Sequence, residues 1–245
     1  VINIHRLPDP AAVGRAAADL VDAAVLDRGE RVVGLATGSS PLETYAELVR
    51  RHGRDPHSPY RSVDAYLLDE YVGLPVGHPE RYAAVIRREF TDAMGVAPHR
   101  VHGPDADAPD LDEASRAYDA AIERAGGVGM QLLGLGSDGH IAFNAPGTPF
   151  DAGTHVATLS ESTRRDNARF FGGDVASVPR TALSQGIATI LRARSIVVIA
   201  TGARKADVVG RLLSSEPTEA LPATALLRHP GTVLLIDDAA AAHLP

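Results

Sequence analysis

The residues best suited to chemistry stand where an apolar run meets glycines, in Leu132-Leu133-Gly134-Leu135-Gly136-Ser137-Asp138-Gly139-His140-Ile141-Ala142-Phe143-Asn144-Ala145-Pro146. An imidazole shuttles protons near neutral pH once a carboxylate or carbonyl fixes its tautomer, and Asp138 lies close to His140 in the chain. A lone histidine beside Ile141 and Phe143 is often a core residue with satisfied nitrogens. The glycine-lined strand end and the nearby acid point to proton transfer instead. Asp69 and Glu70 close another apolar run, Val63 to Leu68. Such a pair can cap a helix or sit in water, but a strand-terminal acid is also a reasonable general base, and repulsion between neighbouring acids raises the proton affinity of one of them.

A third group suits an anion. Thr37-Gly38-Ser39-Ser40-Pro41 joins an apolar run, Arg31 to Ala36, to the helical stretch that begins at Leu42. Small residues and a proline at a helix start leave backbone N–H groups free to cradle a phosphate. The turn lacks the Gly-Lys-Ser ending of a nucleotide-triphosphate loop, so it suits a sugar or cofactor phosphate, with an ordinary helix cap as the plainer alternative. Arg169 and Lys205 are each unremarkable alone. Lys205, however, falls in the first turn of a helix, where the dipole disfavours a cation unless an anion is bound.

These groups need strands to deliver them. Ile2 to Ile4, Arg31 to Ala36, Val63 to Leu68, Val128 to Leu133, His155 to Leu159, Ser195 to Ala200 and Thr232 to Ile236 read as strands. Pro10 to about Asp27, Leu42 onward, His78 to about Met94, Asp110 to Ala125, Glu161 to Phe171, Thr181 to Arg192 and Gly202 to Leu213 read as helices, and Ala220 to Leu227 as a proline-started turn or helix. The alternation predicts an α/β fold: one domain, residues 1–245, with three αβα layers around a mostly parallel sheet and ligands beyond the carboxyl ends of its strands. Gly134-Leu135-Gly136-Ser137-Asp138-Gly139 matches the dinucleotide pattern G-x-G-x-x-G. It is rejected as such, because Asn144, Pro146, Gly147 and Pro149 prevent the long helix that the pattern requires.

Of 245 residues, 44% are apolar, enough for a sizeable core, and the net charge is −7. No broad basic surface for nucleic acid or anionic membrane is expected, so an anionic substrate needs a local positive pocket. There is no cysteine, which removes disulfides, thiol nucleophiles and thiolate metal sites. None of the ten histidines falls in a zinc-binding spacing, and neither metal nor cofactor is expected. Val1-Ile2-Asn3-Ile4-His5-Arg6 is unlike a signal peptide, and no apolar run approaches about 18 residues. A cytoplasmic protein is the expectation.

Leu68-Asp69-Glu70-Tyr71-Val72-Gly73-Leu74-Pro75 with His78-Pro79-Glu80, the stretch Gly134 to Asn144, and Arg164 to Phe171 with Gly202 to Ala206 together resemble the glucosamine-6-phosphate deaminases. The similarity runs in order through nearly the whole chain. The wider superfamily includes 6-phosphogluconolactonase, whose Asp-Gly-His segment is similar; Asp-Glu-Tyr-Val-Gly-Leu favours the deaminase branch. The resemblance implies a sugar-phosphate isomerase-like fold and a metal-free conversion of glucosamine 6-phosphate to fructose 6-phosphate and ammonia. His140 would open the sugar ring, with Asp138 positioning imidazole or substrate, and Asp69 would carry a proton between C2 and C1. Thr37, Gly38, Ser39, Ser40, Arg169 and Lys205 would hold the phosphate. Glu70, Gly136 and Ala145 are expected as further substrate contacts.

One departure from the family pattern bears on this chemistry. Deaminases usually continue Phe-Asn-Glu-Pro, whereas this chain has Phe143-Asn144-Ala145-Pro146. The missing glutamate is the expected partner of the ring-opening histidine, which leaves Asp138 or Asp151 for that role. A phosphosugar lactonase and a catalytically weakened phosphosugar sensor are the competing readings. The strand Thr154-His155-Val156-Ala157-Thr158 lacks the basic residues of allosteric members, and the chain stops at Pro245, so no activation by an N-acetylated sugar phosphate is expected. The resemblance also leaves room for a homo-oligomer.

Overall fold

Apolar strands that can be buried on both faces, each followed by an amphipathic helix, assemble into parallel sheets because the crossover helices cover both sides. The computed structural model describes residues 2–244; Val1 and Pro245, which entered the expectations above, lie outside the described residues. In chain order the elements are β1 (Asn3–Leu7), α1 (Pro10–Asp22), β2 (Val32–Leu35), α2 (Leu42–His52), β3 (Asp64–Leu67), β4 (Asp69–Tyr71), α3 (Tyr82–Ile86), β5 (Val101–His102) and α4 (Leu111–Arg124). There follow β6 (Met130–Gly134), β7 (His155–Thr158), α5 (Glu161–Asn167), β8 (Thr181–Ser184), α6 (Ile187–Leu191), β9 (Ser195–Ala200), α7 (Ala206–Ser214) and β10 (Thr232–Asp237). Seven strands form one parallel sheet in the order β1-β10-β9-β6-β2-β3-β5. A second, antiparallel sheet has the order β4-β8-β7. Helices flank the parallel sheet, and the core runs through Leu35, Leu132, Val198, Leu234 and Leu235, all buried. No described helix is long and apolar enough to cross a membrane.

Local side-chain chemistry accounts for three of the seven helix starts. Asp9 accepts a hydrogen bond from the Ala12 N–H at 2.7 Å, Asp110 from Glu113 at 2.9 Å and Ser160 from Thr163 at 3.1 Å, each satisfying an otherwise free first-turn donor. Two helices end in π-helical turns, Ala23–Asp27 after α1 and Arg87–Thr91 after α3.

The structure corrects the sequence reading in two places that matter for the site. Asp69–Tyr71 is not the polar end of β3: the chain leaves the parallel sheet at Leu68 and enters the antiparallel one as β4. Thr181–Ser184 is a strand, not part of a helix. Its backbone is taken up by ladders to β4 on one side and β7 on the other. Gly186 then caps α6, packed so tightly on the carbonyls of Ala152 and Gly153 that a Cβ there would overlap them. The helix that was expected from His78 begins only at Tyr82, and β5 is too short to show a strand pattern.

Buried amides tie the two sheets together. The Gln185 backbone N–H donates to the Leu68 carbonyl at 2.7 Å and its side chain to Leu67 at 2.9 Å. Asn144, fully buried, donates to the carbonyls of Ile141 at 2.9 Å and Gln185 at 2.8 Å. Replacing Asn144 with alanine removes both bonds and is expected to destabilise the protein by about 1–3 kcal/mol. Urea unfolding should show a lower midpoint at unchanged slope, and an unmoved midpoint would refute the tie.

Candidate active site

A cleft opens beyond the carboxyl ends of β2 and β6 and beside the start of β4. Its walls include Thr37, Gly38, Ser39, Ser40, Asp69, Gly136, His140, Arg169 and Lys205. Residues far apart in the chain are thus brought together, with an anion-binding group on one part of the wall and proton-transfer groups on another.

The anion-binding part starts where the chain leaves β2. Gly38 turns with φ +87°, a backbone state that favours glycine. No side chain caps α2 at Pro41, so its first-turn N–H groups and the hydroxyls of Ser39 and Ser40 are available to a ligand. Arg169 reaches the Ser39 hydroxyl at 3.4 Å. Lys205 precedes α7; burial pushes its ammonium pKa down, opposed by the charge of Asp166 and reinforced by Arg204 and Arg169. A bound dianion would reverse that cost.

Asp138 and His140 sit in a loop closed on itself: the Gly136 N–H donates to the His140 carbonyl at 2.9 Å and Gly139 to Gly136 at 3.0 Å. Asp138 Oδ1 lies 2.6 Å from His140 Nδ1 and accepts the His140 backbone N–H at 3.1 Å. Burial works to raise the Asp138 pKa, but the hydrogen bonds and charge of His140 outweigh it and hold the carboxyl down to about 2. An ionised Asp138 keeps the Nδ1 proton in place and leaves Nε2 as the nitrogen free to exchange protons. The ring packs so closely on Gly136 that any Cβ there would overlap it. Beyond it, Ala142 has φ 50° and lines the cleft, a strained conformation of the kind found at functional sites. No helix starts within Gly134 to Gly139, as the rejection of the dinucleotide pattern required.

Asp69 is 6% exposed. Burial, and then the charge of Glu70, push its pKa well above the usual carboxylate range. It faces a wall of aromatic rings, with Tyr71 and Tyr82 at 4.7 Å between centroids and Tyr82 stacked on Phe143 at 6.1 Å.

Three expected contacts fall elsewhere. Asp138 is behind His140 rather than on the cleft wall. Glu70 is turned away from the cleft, its carboxylate occupied by the backbone N–H groups of Tyr71, Tyr82 and Ala83. Ala145 is not on the wall either; its carbonyl closes a turn with Thr148. Asp151 is no partner of His140, lying with Phe150, Pro217 and Glu219 in a separate surface cleft. Wall residues that the sequence reading missed include Tyr82, Val85, Glu89, Phe143 and Asn167. The spacing of Tyr82, Val85 and Glu89 at i, i+3 and i+7, with an acid on an otherwise apolar face, was the available signal.

With this geometry in place, comparison with known proteins is decisive at the family level. The family model of glucosamine-6-phosphate isomerases/6-phosphogluconolactonases matches residues 10–235. The chain belongs to this family. Among its members, proteins named glucosamine-6-phosphate deaminase from Beutenbergia cavernae and Mycolicibacterium smegmatis are each 49% identical over 238 residues, covering 97% of this chain and 91% of the relative. A solved structure described as a monomeric glucosamine-6-phosphate deaminase superposes with a TM-score of 0.94 at 36% identity, covering 99% of this chain and 100% of that one. The family fold extends further: 6-phosphogluconolactonase from Trypanosoma cruzi superposes at TM-score 0.80 with 20% identity, over 100% of this chain and 97% of that one, a likeness of fold alone.

The buried Asp69 also has a consequence for stability. Its folded pKa is raised, so between the ordinary aspartate value and that raised value the native state holds more protons than the unfolded chain, and stability falls as pH rises through the window. Asp69→Asn should therefore match the wild-type Tm at acidic pH and exceed it at neutral pH, by about 2–4 °C for each kcal/mol of relieved strain. Calorimetry giving equal Tm values at neutral pH would refute this.

Proposed function

We propose that this protein converts glucosamine 6-phosphate and water to fructose 6-phosphate and ammonia. The observation that carries the reading is one cleft holding an anion cradle, an Asp138–His140 pair and a buried, raised-pKa acid. The relatives at 49% identity that are named as deaminases support it.

The phosphate sits on Thr37, Gly38, Ser39 and Ser40 with Arg169 and Lys205, and its binding energy orients the distant carbons. His140 Nε2 moves a proton from the anomeric hydroxyl to the ring oxygen, and the ring opens to the aldehyde. Asp69 takes the proton from C2 while O1 gains one, giving an enol across C1 and C2, and returns it to C1 while the nitrogen gives one up, so that the net shift is C2–H to C1 and N–H to O1. The C2–N bond is then an imine; water adds at C2 and ammonia leaves, giving the ketose. A carboxylate shielded from water has the higher basicity that carbon deprotonation requires. Gly136 keeps the His140 ring close to the loop, while Glu70 and Ala145 lie off the cleft wall.

The glutamate absent at position 145 does not leave His140 alone, because Asp138 holds its Nδ1 side. That geometry favours turnover over a sensor that binds without reacting. All the named groups come from a single copy of the chain, taken as one catalytic domain, so activity should not require association. A cytoplasmic setting suits a phosphorylated substrate that does not cross membranes.

Purified protein should release ammonia from glucosamine 6-phosphate in a coupled assay and leave 6-phosphogluconolactone unhydrolysed above background; the reverse pattern would establish the lactonase. Asp69→Asn should cut kcat by about 10²–10⁴-fold. Gly136→Ala, which displaces the imidazole, should lower kcat by about tenfold or more with little effect on phosphate affinity. Full activity in either variant would contradict the assigned role. If Ala145→Glu turned an inactive wild type into an active enzyme, the sensor reading would replace this one.

A further inference from the structure

Glu70 is the buried acid that the reaction above leaves without a task. It is 5% exposed, follows Asp69 directly and points to the other face of β4. Its Oε1 accepts the N–H groups of Tyr71 and Tyr82, both at 2.9 Å, and its Oε2 accepts that of Ala83 at 3.1 Å. The last two are first-turn donors of α3, whose own N-cap, Arg81, offers no side-chain hydrogen bond. Glu70 thus caps a helix from a different strand. The helix it caps presents Tyr82 and Val85 to the cleft, and the π-helical turn that continues it presents Glu89.

We propose that Glu70 is a positioning residue for the proton transfer: it locks the Tyr82 wall to the strand that carries Asp69 and keeps a fixed negative charge behind that base. The inference rests on the reading of Asp69 as the proton carrier. Burial pushes the Glu70 pKa up; the N–H groups of Tyr82, Ala83 and Tyr71, which its two oxygens accept, and the charge of Arg81, itself paired with Asp107, work against that rise and favour the carboxylate. The titratable groups around Asp69 are Glu70, behind it, and Tyr71 on its own strand, Tyr82 on α3, Tyr118 on α4 and, on the cleft wall, His140, Glu80, Glu89, Asp166, Arg169 and Lys205. The tyrosines are neutral at physiological pH, since burial raises all three. Ser184, opposite Asp69 on β8, carries no charge. Glu70, with three N–H donors on its carboxyl oxygens, is the acid nearest the base along the chain and the one tied to its strand. Carbon deprotonation gains from a base of higher proton affinity, and a like charge raises that affinity without occupying the substrate's space.

Two substitutions separate charge from tether. Glu70→Gln keeps the length and an accepting oxygen but removes the charge. Glu70→Asp keeps the charge but withdraws it from the α3 donors. The titration of Asp69 is followed by 13C-carboxyl NMR, with Asp69→Asn identifying the resonance, alongside the pH dependence of kcat/KM for ammonia release. In Glu70→Gln both the Asp69 titration and the acid limb of kcat/KM are expected to move to lower pH, by about half a unit or more. In Glu70→Asp they should stay near the wild-type position while kcat falls by about tenfold. Circular dichroism sets the folded fraction of each variant. An unmoved Asp69 titration in Glu70→Gln, or activity lost only in proportion to unfolded protein, overturns the proposal and leaves Glu70 as a helix cap. A wild type that releases no ammonia overturns the deaminase reading instead, and the NMR titration still decides whether Glu70 sets the proton affinity of Asp69.

Discussion

The burial of an acid at the seam between two sheets constrains the rest of this structure. Asp69 lies where the chain leaves the parallel sheet and becomes the edge of an antiparallel one, and at 6% exposure its carboxyl is largely cut off from water. Ionising such a group is costly, and the surroundings lower the cost little: its carboxyl makes no side-chain hydrogen bond among the described residues. The fold tolerates this because the seam is held by other contacts. Gln185 and Asn144 bridge the strands with buried amides, and Tyr118 donates to the Leu67 carbonyl at 2.6 Å. Stability is given up at one atom group and recovered around it, the usual relation between an active site and its scaffold.

The electrostatics of the cleft divide along the same line. A chain of net charge −7 can attract a dianion only where positive groups gather, and the helix start after Thr37–Ser40, Arg169 and Lys205 gather in this cleft. The other part of the cleft carries acids in contrasting states. Asp138 is held ionised by the imidazole it touches, while Asp69 is held basic by its burial. Two carboxylates, one on the cleft wall and one behind it, thus acquire different proton affinities from their environments.

The alanine at position 145 shows how the family arrangement can be thinned. Where the family resemblance led to an expected glutamate, the chain has Ala145, and His140 Nδ1 is instead met by Asp138 from within one glycine-rich loop. Gly136, Gly139 and the strained Ala142 allow that loop to fold back on itself so that the acid meets the ring. The pairing is local in sequence and therefore robust to what happens several residues later.

Much of this was legible in the residues. Six of the seven parallel strands, the Thr37 to Ser40 turn, Asp69, and the Asp138–His140 pair follow from local patterns, because a strand's apolar run, a helix start and a two-residue spacing are written in contiguous sequence. The second sheet was not legible: Thr181–Ser184 reads as helix by composition and becomes a strand only because β4 and β7 supply its hydrogen bonds. For the same reason Glu70 looked like a substrate contact until the structure brought Tyr82 and Ala83 to its carboxylate. The sequence by itself determined the candidate acids and imidazole and the parallel core, since both rest on short-range chemistry. Which face each acid shows to the cleft was decided by tertiary structure alone, because it depends on partners more than ten residues away along the chain.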